Sequence, residues 1–401
     1  MLLAGGALAQ ALPLLLGPWL TRLYTPAQFG TYHLFAAVAA NLAVVACLRY
    51  EFALPMARDD AEASALRRLC LRVLAAALAL SLAVALGWAM GLASLWPLWL
   101  PLAVAALGGL SLASLLATRG QRFGALALAR LLQHGGGALL QAVAGVWQAG
   151  VHGLVAAPIA AAMAAWMMLR AFEPALTQAD QGDRKDWRRT ARRFADYPLL
   201  NTPHAFMGAL QDTLAVAMVA GALDASAAGA WGLALRYLKA PATLVGGAVS
   251  QVLHPKLAQA GCTVAGRALV IQAMGLLALI AAPLVLALWL GAPALFAWAF
   301  GAQWVQAGEL ARALAVYIGL HFVASPLGVV TLAWDAQAWA LRLALAGQLL
   351  FVAALAAGLA WGGLAAAGWA VSAAMAVYFG VYFIRLATWP VTVLPAAGAA
   401  S

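Results

Sequence analysis

Long apolar runs separated by short polar turns dominate the sequence. Each run is close to the ~20 apolar residues that a helix needs to cross a bilayer. The turns carry helix-breaking residues, as at Tyr24–Pro26, Arg119–Gly120 and Gly362–Gly363. The runs predict helices at residues 1–20, 30–48, 73–92, 97–118, 124–147, 152–169, 202–221, 228–250, 268–290, 312–331, 341–360 and 363–384.

The amino-acid composition excludes an ordinary soluble domain. Of the 401 residues, 66% are hydrophobic and only 9% are charged, whereas a soluble domain has about 25% charged residues. The predicted helices and their short connections use nearly the whole chain. The sequence therefore predicts an all-α, polytopic membrane protein with about 12 transmembrane helices.

Basic residues are distributed unevenly between alternate connections. If the N-terminus lies inside, the outer connections hold only Arg22 and Arg312. Three cations lie within helices, and the other 18 of the 23 Lys and Arg residues fall on the inner side. Because inner loops carry such an excess of cations, we expect both termini to be cytoplasmic. The net charge of +10 then reflects orientation in an inner membrane rather than nucleic-acid binding.

A central polar connection divides the predicted helices into two groups of six. It contains the charged run Asp183–Arg189. We predict an N-terminal six-helix bundle at residues 1–169, a cytoplasmic inter-bundle loop at 170–201 and a C-terminal six-helix bundle at 202–401.

A faint internal repeat agrees with this division. The hexapeptide that begins at Phe29 has a counterpart that begins 199 residues later, at Ala228. Two six-helix halves in the same orientation form a parallel repeat, a common transporter plan with the substrate site between the halves. We therefore expect a central cavity.

Three charged residues fall at similar membrane depth in the seventh and eighth helices. Counted from the turn at Asp224 at ~1.5 Å per residue, Asp212 matches Arg236 and Lys239. The two cations are three residues apart and so share a helix face. In a cavity they would attract a pyrophosphate, which Arg can bind in a bidentate manner. Alternatively, Asp212 neutralises one cation and holds the seventh and eighth helices together. Because one acid cannot neutralise two bases, this ion pair is compatible with phosphate binding.

Three further residues are candidates for the cavity. Arg130 lies inside the fifth helix, where it either snorkels to the inner surface or faces the cavity. Most of the 16 tryptophans fall near helix ends, as expected of interfacial belts. Trp231 and Tyr237 share the helix of the cation pair and are the aromatic residues that we single out for sugar contact.

Catalytic and metal-binding chemistry is not predicted. The cysteines Cys47, Cys70 and Cys262 have neither paired nor metal-type spacing and are expected to act as small apolar side chains. The six histidines have no ligand spacing. Glu51 beside Arg49 is expected to form an interfacial ion pair. We predict no catalytic residue, no metal and no cofactor.

Five segments resemble, in the right order, the landmarks of a known family. They are Leu20–Gly30, Arg49–Pro55, Phe194–Leu199, Leu235–Pro241 and Phe300–Gly308. Together they look like the bacterial polysaccharide and O-antigen flippases of the multidrug/oligosaccharidyl-lipid/polysaccharide exporter superfamily.

The resemblance implies two bundles around a partly cationic cavity. It also implies alternating access that moves an undecaprenyl-pyrophosphate-linked oligosaccharide to the outer leaflet, for O-antigen, lipopolysaccharide, capsule or exopolysaccharide synthesis. The expected partners are the lipid-linked oligosaccharide, the phospholipid membrane, and a polysaccharide polymerase and glycosyltransferases.

Two other functions are alternatives to transport of this anionic lipid. A drug or organic-cation antiporter of the same superfamily needs an acidic, aromatic cavity, whereas the predicted membrane interior holds three bases and one acid. A membrane glycosyltransferase or polymerase commonly needs a sizeable extramembrane loop. The outer connections here are short and carry no nucleophile–base constellation, so we expect no enzyme.

Overall fold

The computed structural model describes residues 2–171 and 187–390, with side chains from Ala9 onward. The chain divides into two compact units, Met1–Ala220 and Gly221–Ser401.

The first unit is built from nine helices and the turns between them in its described part. They are α1 (Leu2–Leu23), α2 (Pro26–Val45), α3 (Asp60–Leu92), α4 (Leu100–Arg119), α5 (Phe123–Arg130), α6 (Gly137–Val146), α7 (Gly150–Ala171), α8 (Trp187–Arg193) and α9 (Thr202–Ala222). Short 3-10 turns cover Tyr50–Met56 and Trp96–Trp99, and π-helical segments cover Leu131–Gly136 and Tyr197–Asn201.

The second unit contains five helices among its described residues. They are α10 (Ala225–Ala260), α11 (Val264–Phe300), α12 (Val305–Ala313), α13 (Ala315–Ala333) and α14 (Gln337–Ala387). A 3-10 turn, Ala302–Trp304, links α11 to α12.

The helices confirm the prediction of an all-α polytopic membrane protein. Eight of the described helices are long and apolar enough to cross a membrane. One of them, α14, consists of two helices joined at a kink. The other predicted segments coincide with α1, with α10 and with the continuous run from α5 through the π-helical segment to α6.

The kink in α14 makes a helical hairpin. Gly362 and Gly363 have non-helical backbone angles, and Gly363 has a φ of 72°. A side chain on Gly358 would collide with the backbone of Ala367, and the rings of Trp339 and Tyr382 stack at 5.9 Å between centroids. Residues so far apart in sequence meet only if the two halves run antiparallel. The predicted break at Gly362–Gly363 is thereby confirmed.

Matching N-caps begin α2 in the first unit and α10 in the second. The Thr25 hydroxyl accepts a hydrogen bond from the amide of Gln28, whose side chain in turn accepts one from the Thr25 amide. The Asp224 carboxylate likewise accepts a hydrogen bond from the Ala227 amide at 2.7 Å. Such caps satisfy amides that a helix start leaves unbonded. Thr25 and Asp224 are 199 residues apart, which is the interval of the faint sequence repeat.

Several helices extend beyond the segments that hydropathy predicted. Helix α3 begins at Asp60 rather than at residue 73, and α11 continues to Phe300 rather than ending at residue 290. At ~1.5 Å per residue, their 33 and 37 residues exceed the ~30 Å of a hydrocarbon core. Hydropathy marks only the apolar part of such a helix.

The central connection is partly helical. The predicted loop at 170–201 includes α8 and the π-helical segment Tyr197–Asn201, while residues 172–186 lie outside the described part. Arg193 of α8 pairs with Glu62 of α3, and the guanidinium of Arg72 lies 5.4 Å from the Trp187 ring. These contacts hold α8 against α3.

Helix α9 groups with the first unit, although we predicted that the second bundle begins at residue 202. The unit boundary lies after Ala220. The Thr213 hydroxyl donates to the Ala37 carbonyl at 3.1 Å and accepts a hydrogen bond from Asn41 at 3.4 Å. These bonds tie α9 to α2. The division into six helices plus six stays a prediction.

Candidate functional site

The predicted cation pair lies on α10 of the second unit. Arg236 and Lys239 are both half-buried and lie one turn apart along the helix, a rise of about 4.5 Å. The opposite stripe of α10, which includes Ala234, Leu238 and Ala242, is buried. The helix is thus anchored by its apolar stripe and carries the two positive charges away from that stripe.

Tyr237 is an aromatic residue that lies between the two cations in the sequence. The ring of Tyr237 packs against the ring of Phe300, with 4.5 Å between centroids. The Arg236 guanidinium interacts electrostatically with the Tyr237 phenol. Arg236, Tyr237 and Lys239 thus lie within about one turn of α10, and their joint role in one binding site stays a prediction.

A proline interrupts the backbone hydrogen bonding of α10 just after the cation pair. Pro241 lies inside α10, and a proline there removes the amide that would bond the carbonyl four residues earlier, at Tyr237. Beyond Pro241, the Ser250 hydroxyl donates to the Pro326 carbonyl on α13 at 3.2 Å. The part of α10 beyond Pro241 is therefore tied to α13.

Trp231 takes a different position from the other α10 candidates. Its side chain is 0% exposed and its ring packs against that of Phe351 at 6.3 Å. Its indole Nε1–H has no acceptor among the residues that the structure describes. Both ring faces are covered in this conformation, so a sugar could stack on Trp231 only after α10 moved.

Arg130 lies in the first unit, as the last residue of α5. Its side chain is exposed. The π-helical segment Leu131–Gly136 follows directly, and π-helical turns inside α-helices occur frequently at functional sites. Snorkelling and cavity binding, the two predicted roles of Arg130, both require an exposed side chain, so the exposure does not separate them.

Asp212 is exposed on α9 of the first unit. Arg236 and Lys239 belong to the second unit. The predicted ion pair between Asp212 and these cations therefore stays a prediction.

An open cleft lies at the start of α9, at residues that the sequence does not mark as a candidate site. The cleft has a volume of about 540 Å³ and is lined by Asp196, Tyr197, Leu200, Asn201 and His204. This volume lies within the range of small-molecule sites, about 300–1,000 Å³. The only sequence signal for it is the family-like segment Phe194–Leu199.

Glu51, which the sequence predicts to form an ion pair at the membrane interface, lies in a different environment. The Glu51 side chain is buried, with 3% exposed. Burial raises the pKa of the Glu51 carboxyl, an effect that its own backbone amide, Arg49 and a hydrogen bond from Ser111 oppose. Glu51 is therefore a core residue of the first unit.

A family model agrees with the fold and the sequence landmarks. The model described as polysaccharide biosynthesis protein matches residues 19–309. Among curated protein sequences, none matches the chain significantly.

Solved structures of membrane transporters share the fold. The lipid II flippase MurJ, in an inward closed conformation, aligns with a TM-score of 0.65 at 11% identity, covering 95% of this chain and 89% of its own. An inward-facing MATE family multidrug resistance transporter of the MOP superfamily aligns with a TM-score of 0.62 at 16% identity, covering 96% and 93%. A variant of the Vibrio cholerae MATE transporter VcmN aligns with a TM-score of 0.60 at 14% identity, covering 96% and 94%.

Proposed function

The chain belongs to the polysaccharide biosynthesis protein family, and on this premise we propose that it is a flippase for a lipid-linked oligosaccharide. Its cargo is an undecaprenyl-pyrophosphate-linked sugar unit. Alternating access moves the cargo from the inner to the outer leaflet of the bacterial inner membrane, where both termini of the protein are cytoplasmic. The task is transport, not catalysis.

The cation pair on α10 is the observation that carries the proposal. A Lys or Arg at the centre of a membrane helix costs roughly 2.5–3.5 kcal/mol on insertion scales. Arg236 and Lys239 carry two such charges on one face of α10, and the residues on either side of them, Leu233–Leu235 and Ala240–Ala242, are apolar. An anionic cargo offsets this cost, and a pyrophosphate offers each cation phosphate oxygens.

Each residue of the site has a proposed role. The planar guanidinium of Arg236 donates two hydrogen bonds to one phosphate, and Lys239 acts as a point charge on the other. The Tyr237 hydroxyl and Arg130 bind further oxygens of the headgroup, and Trp231 meets sugar only when α10 moves. Asp212 serves as an ion-pair or coupling residue. Polysaccharide polymerase and glycosyltransferases act on the same lipid after and before transport.

Binding of the cargo tests the cation pair. The purified chain is titrated with a fluorescent undecaprenyl-pyrophosphate oligosaccharide in detergent, and anisotropy reports binding. We expect the double variant Arg236→Gln/Lys239→Gln to lose most binding. Lys256→Gln is the matched control, because Lys256 is an exposed cation near the end of the same helix. It should bind like the parent.

Two results would contradict the proposal. Equal binding by the parent and the double variant would remove the cation pair from the site. Weak binding of the lipid combined with proton-linked efflux of an organic cation from vesicles would favour the antiporter instead.

A further inference from the structure

Two thiols and a carboxylate meet in the core of the first unit. Cys47 lies in the turn after α2, Glu51 in the 3-10 turn Tyr50–Met56, and Cys70 on α3. Their sulfur atoms and a carboxylate oxygen all lie within 4.8 Å of one another. Because three separate elements supply these groups, their sequence spacing gives no sign of the cluster.

The cluster leaves a buried carboxylate incompletely bonded. The exposed fractions of Cys47, Glu51 and Cys70 are 1%, 3% and 0%. Ser111 donates to the Glu51 carboxylate and Arg49 lies close enough to interact with it. The second oxygen, Oε2, is buried and receives no hydrogen bond from the residues that the structure describes. Burying such an oxygen without a partner is unfavourable, and thiols are only weak donors.

We propose that Cys47, Glu51 and Cys70 bind a divalent cation of the Zn²⁺ class. Thiolate sulfur selects Zn²⁺ and similar borderline-soft ions over Mg²⁺ and Ca²⁺, and Zn²⁺ also accepts carboxylate oxygen. On binding, each thiol loses its proton to solvent, so two protons are released per ion. The ion and the Arg49 guanidinium together offset the three negative charges of the ligand set. Three protein ligands leave the fourth tetrahedral position to water.

The site has a structural role, independent of the proposed transport. Leu48 and Arg49, between two of the ligands, both adopt left-handed backbone conformations, with φ of 47° and 61°. Such conformations are costly for residues other than glycine and persist where surrounding contacts enforce them. An ion that joins Cys47 to Cys70 fastens this turn to α3. The adjacent Tyr50 hydroxyl donates to the Ala191 carbonyl of α8 at 3.4 Å, so the fastened turn also supports α8.

A Cd²⁺ titration tests the ligand set. The full-length chain is purified with a histidine-free tag, kept reduced with a phosphine and titrated with Cd²⁺ while the thiolate-to-cadmium charge-transfer absorbance is recorded. We expect saturation at one equivalent and competition by Zn²⁺. Cys47→Ala and Cys70→Ala keep small apolar side chains and should each weaken binding by more than the roughly 10–100-fold that outer-shell changes cost. Cys262→Ser, which alters the cysteine in the second unit, should match the parent, and Glu51→Gln should bind more weakly but retain the band.

Thiol alkylation tests the same proposal without any variant. Zn²⁺ should slow maleimide modification of Cys47 and Cys70, measured by mass spectrometry in the partly denatured protein, and leave Cys262 unchanged. Three results would overturn the proposal: absence of the charge-transfer band in the parent, equal alkylation rates with and without Zn²⁺, or a Cys47–Cys70 disulfide that forms under an oxidant at saturating Zn²⁺.

Discussion

Arg236 and Lys239 differ in what they can offer a phosphate, although both are cations on one face of α10. The guanidinium of Arg236 is planar and presents paired donors, whereas the ammonium of Lys239 is a compact charge on a flexible chain. The nearby Tyr237 is fixed by its ring contact with Phe300 at 4.5 Å. Substitutions at these two positions can therefore separate the contribution of charge to phosphate binding from that of hydrogen-bond geometry.

Arg236→Lys is expected to weaken cargo binding while the charge is retained. Loss of the paired donors should cost about 1.5 kcal/mol, which is about tenfold in affinity. The comparison uses the anisotropy titration with the fluorescent lipid-linked oligosaccharide. Lys239→Arg, tested alongside, should bind at least as well as the parent. Full affinity in Arg236→Lys would mean that Arg236 acts only through its charge.

Tyr24 connects the turn between α1 and α2 to the rest of the first unit. Its hydroxyl donates to the Gln141 carbonyl at 2.7 Å, and its side chain is buried. Tyr24→Phe should lower the free energy of unfolding by about 0.5–1.5 kcal/mol at neutral pH. Thermal unfolding in detergent measures this change, and an unchanged unfolding temperature would count against the bond.

The same tyrosine predicts a pH dependence of stability. Burial raises the pKa of Tyr24 to about 12, against about 10 in an unfolded chain. The folded state therefore holds the phenolic proton more tightly, so this contribution to stability is complete below pH ~10 and is lost as the pH rises from ~10 to ~12. Unfolding temperatures of the parent should fall more steeply across this range than those of Tyr24→Phe. Parallel curves would refute the assignment.

At the scale of elements, α14 depends on one backbone conformation. Gly363 has φ 72° and ψ −153°, a region that only glycine populates readily. Gly363→Ala should lower the free energy of unfolding by about 1–3 kcal/mol. Gly380→Ala is the matched control on the same helix, since a β-carbon at Gly380 meets nothing within 4 Å. It should be neutral or stabilising by about 0.4–1 kcal/mol, and equal destabilisation by both changes would contradict the hairpin.

The apolar runs were enough to predict the helices, but not where the helices end. The start of α3 at Asp60 was missed because its first turns are charged and lie outside the apolar window. Helix α8 was missed because seven residues rich in arginine have no apolar run; it depends on tertiary contacts such as that between Arg193 and Glu62.

The side-chain environments were harder to predict than the helices. The spacing of Arg236 and Lys239 follows from the helix period alone, so their shared face could be predicted from the sequence. The burial of Trp231 depends on how α10 packs, and the meeting of Cys47, Glu51 and Cys70 depends on three elements. The local spacing of residues in the sequence predicts neither the burial of Trp231 nor this cluster.

At the scale of the whole molecule, the fold does not select the cargo. Solved transporters with this fold, at 11–16% identity, include a lipid II flippase and multidrug transporters. The selection therefore depends on the charges of this chain. Two half-buried cations on α10 favour an anionic headgroup over an organic cation.

Translocation in proteoliposomes tests the central claim most directly. A fluorescent undecaprenyl-pyrophosphate oligosaccharide is placed in one leaflet, and a membrane-impermeant quencher reports its arrival in the other. We expect movement with the parent and with Lys256→Gln, and none in empty vesicles or with Arg236→Gln/Lys239→Gln. Movement no faster with the parent than in empty vesicles would contradict the account.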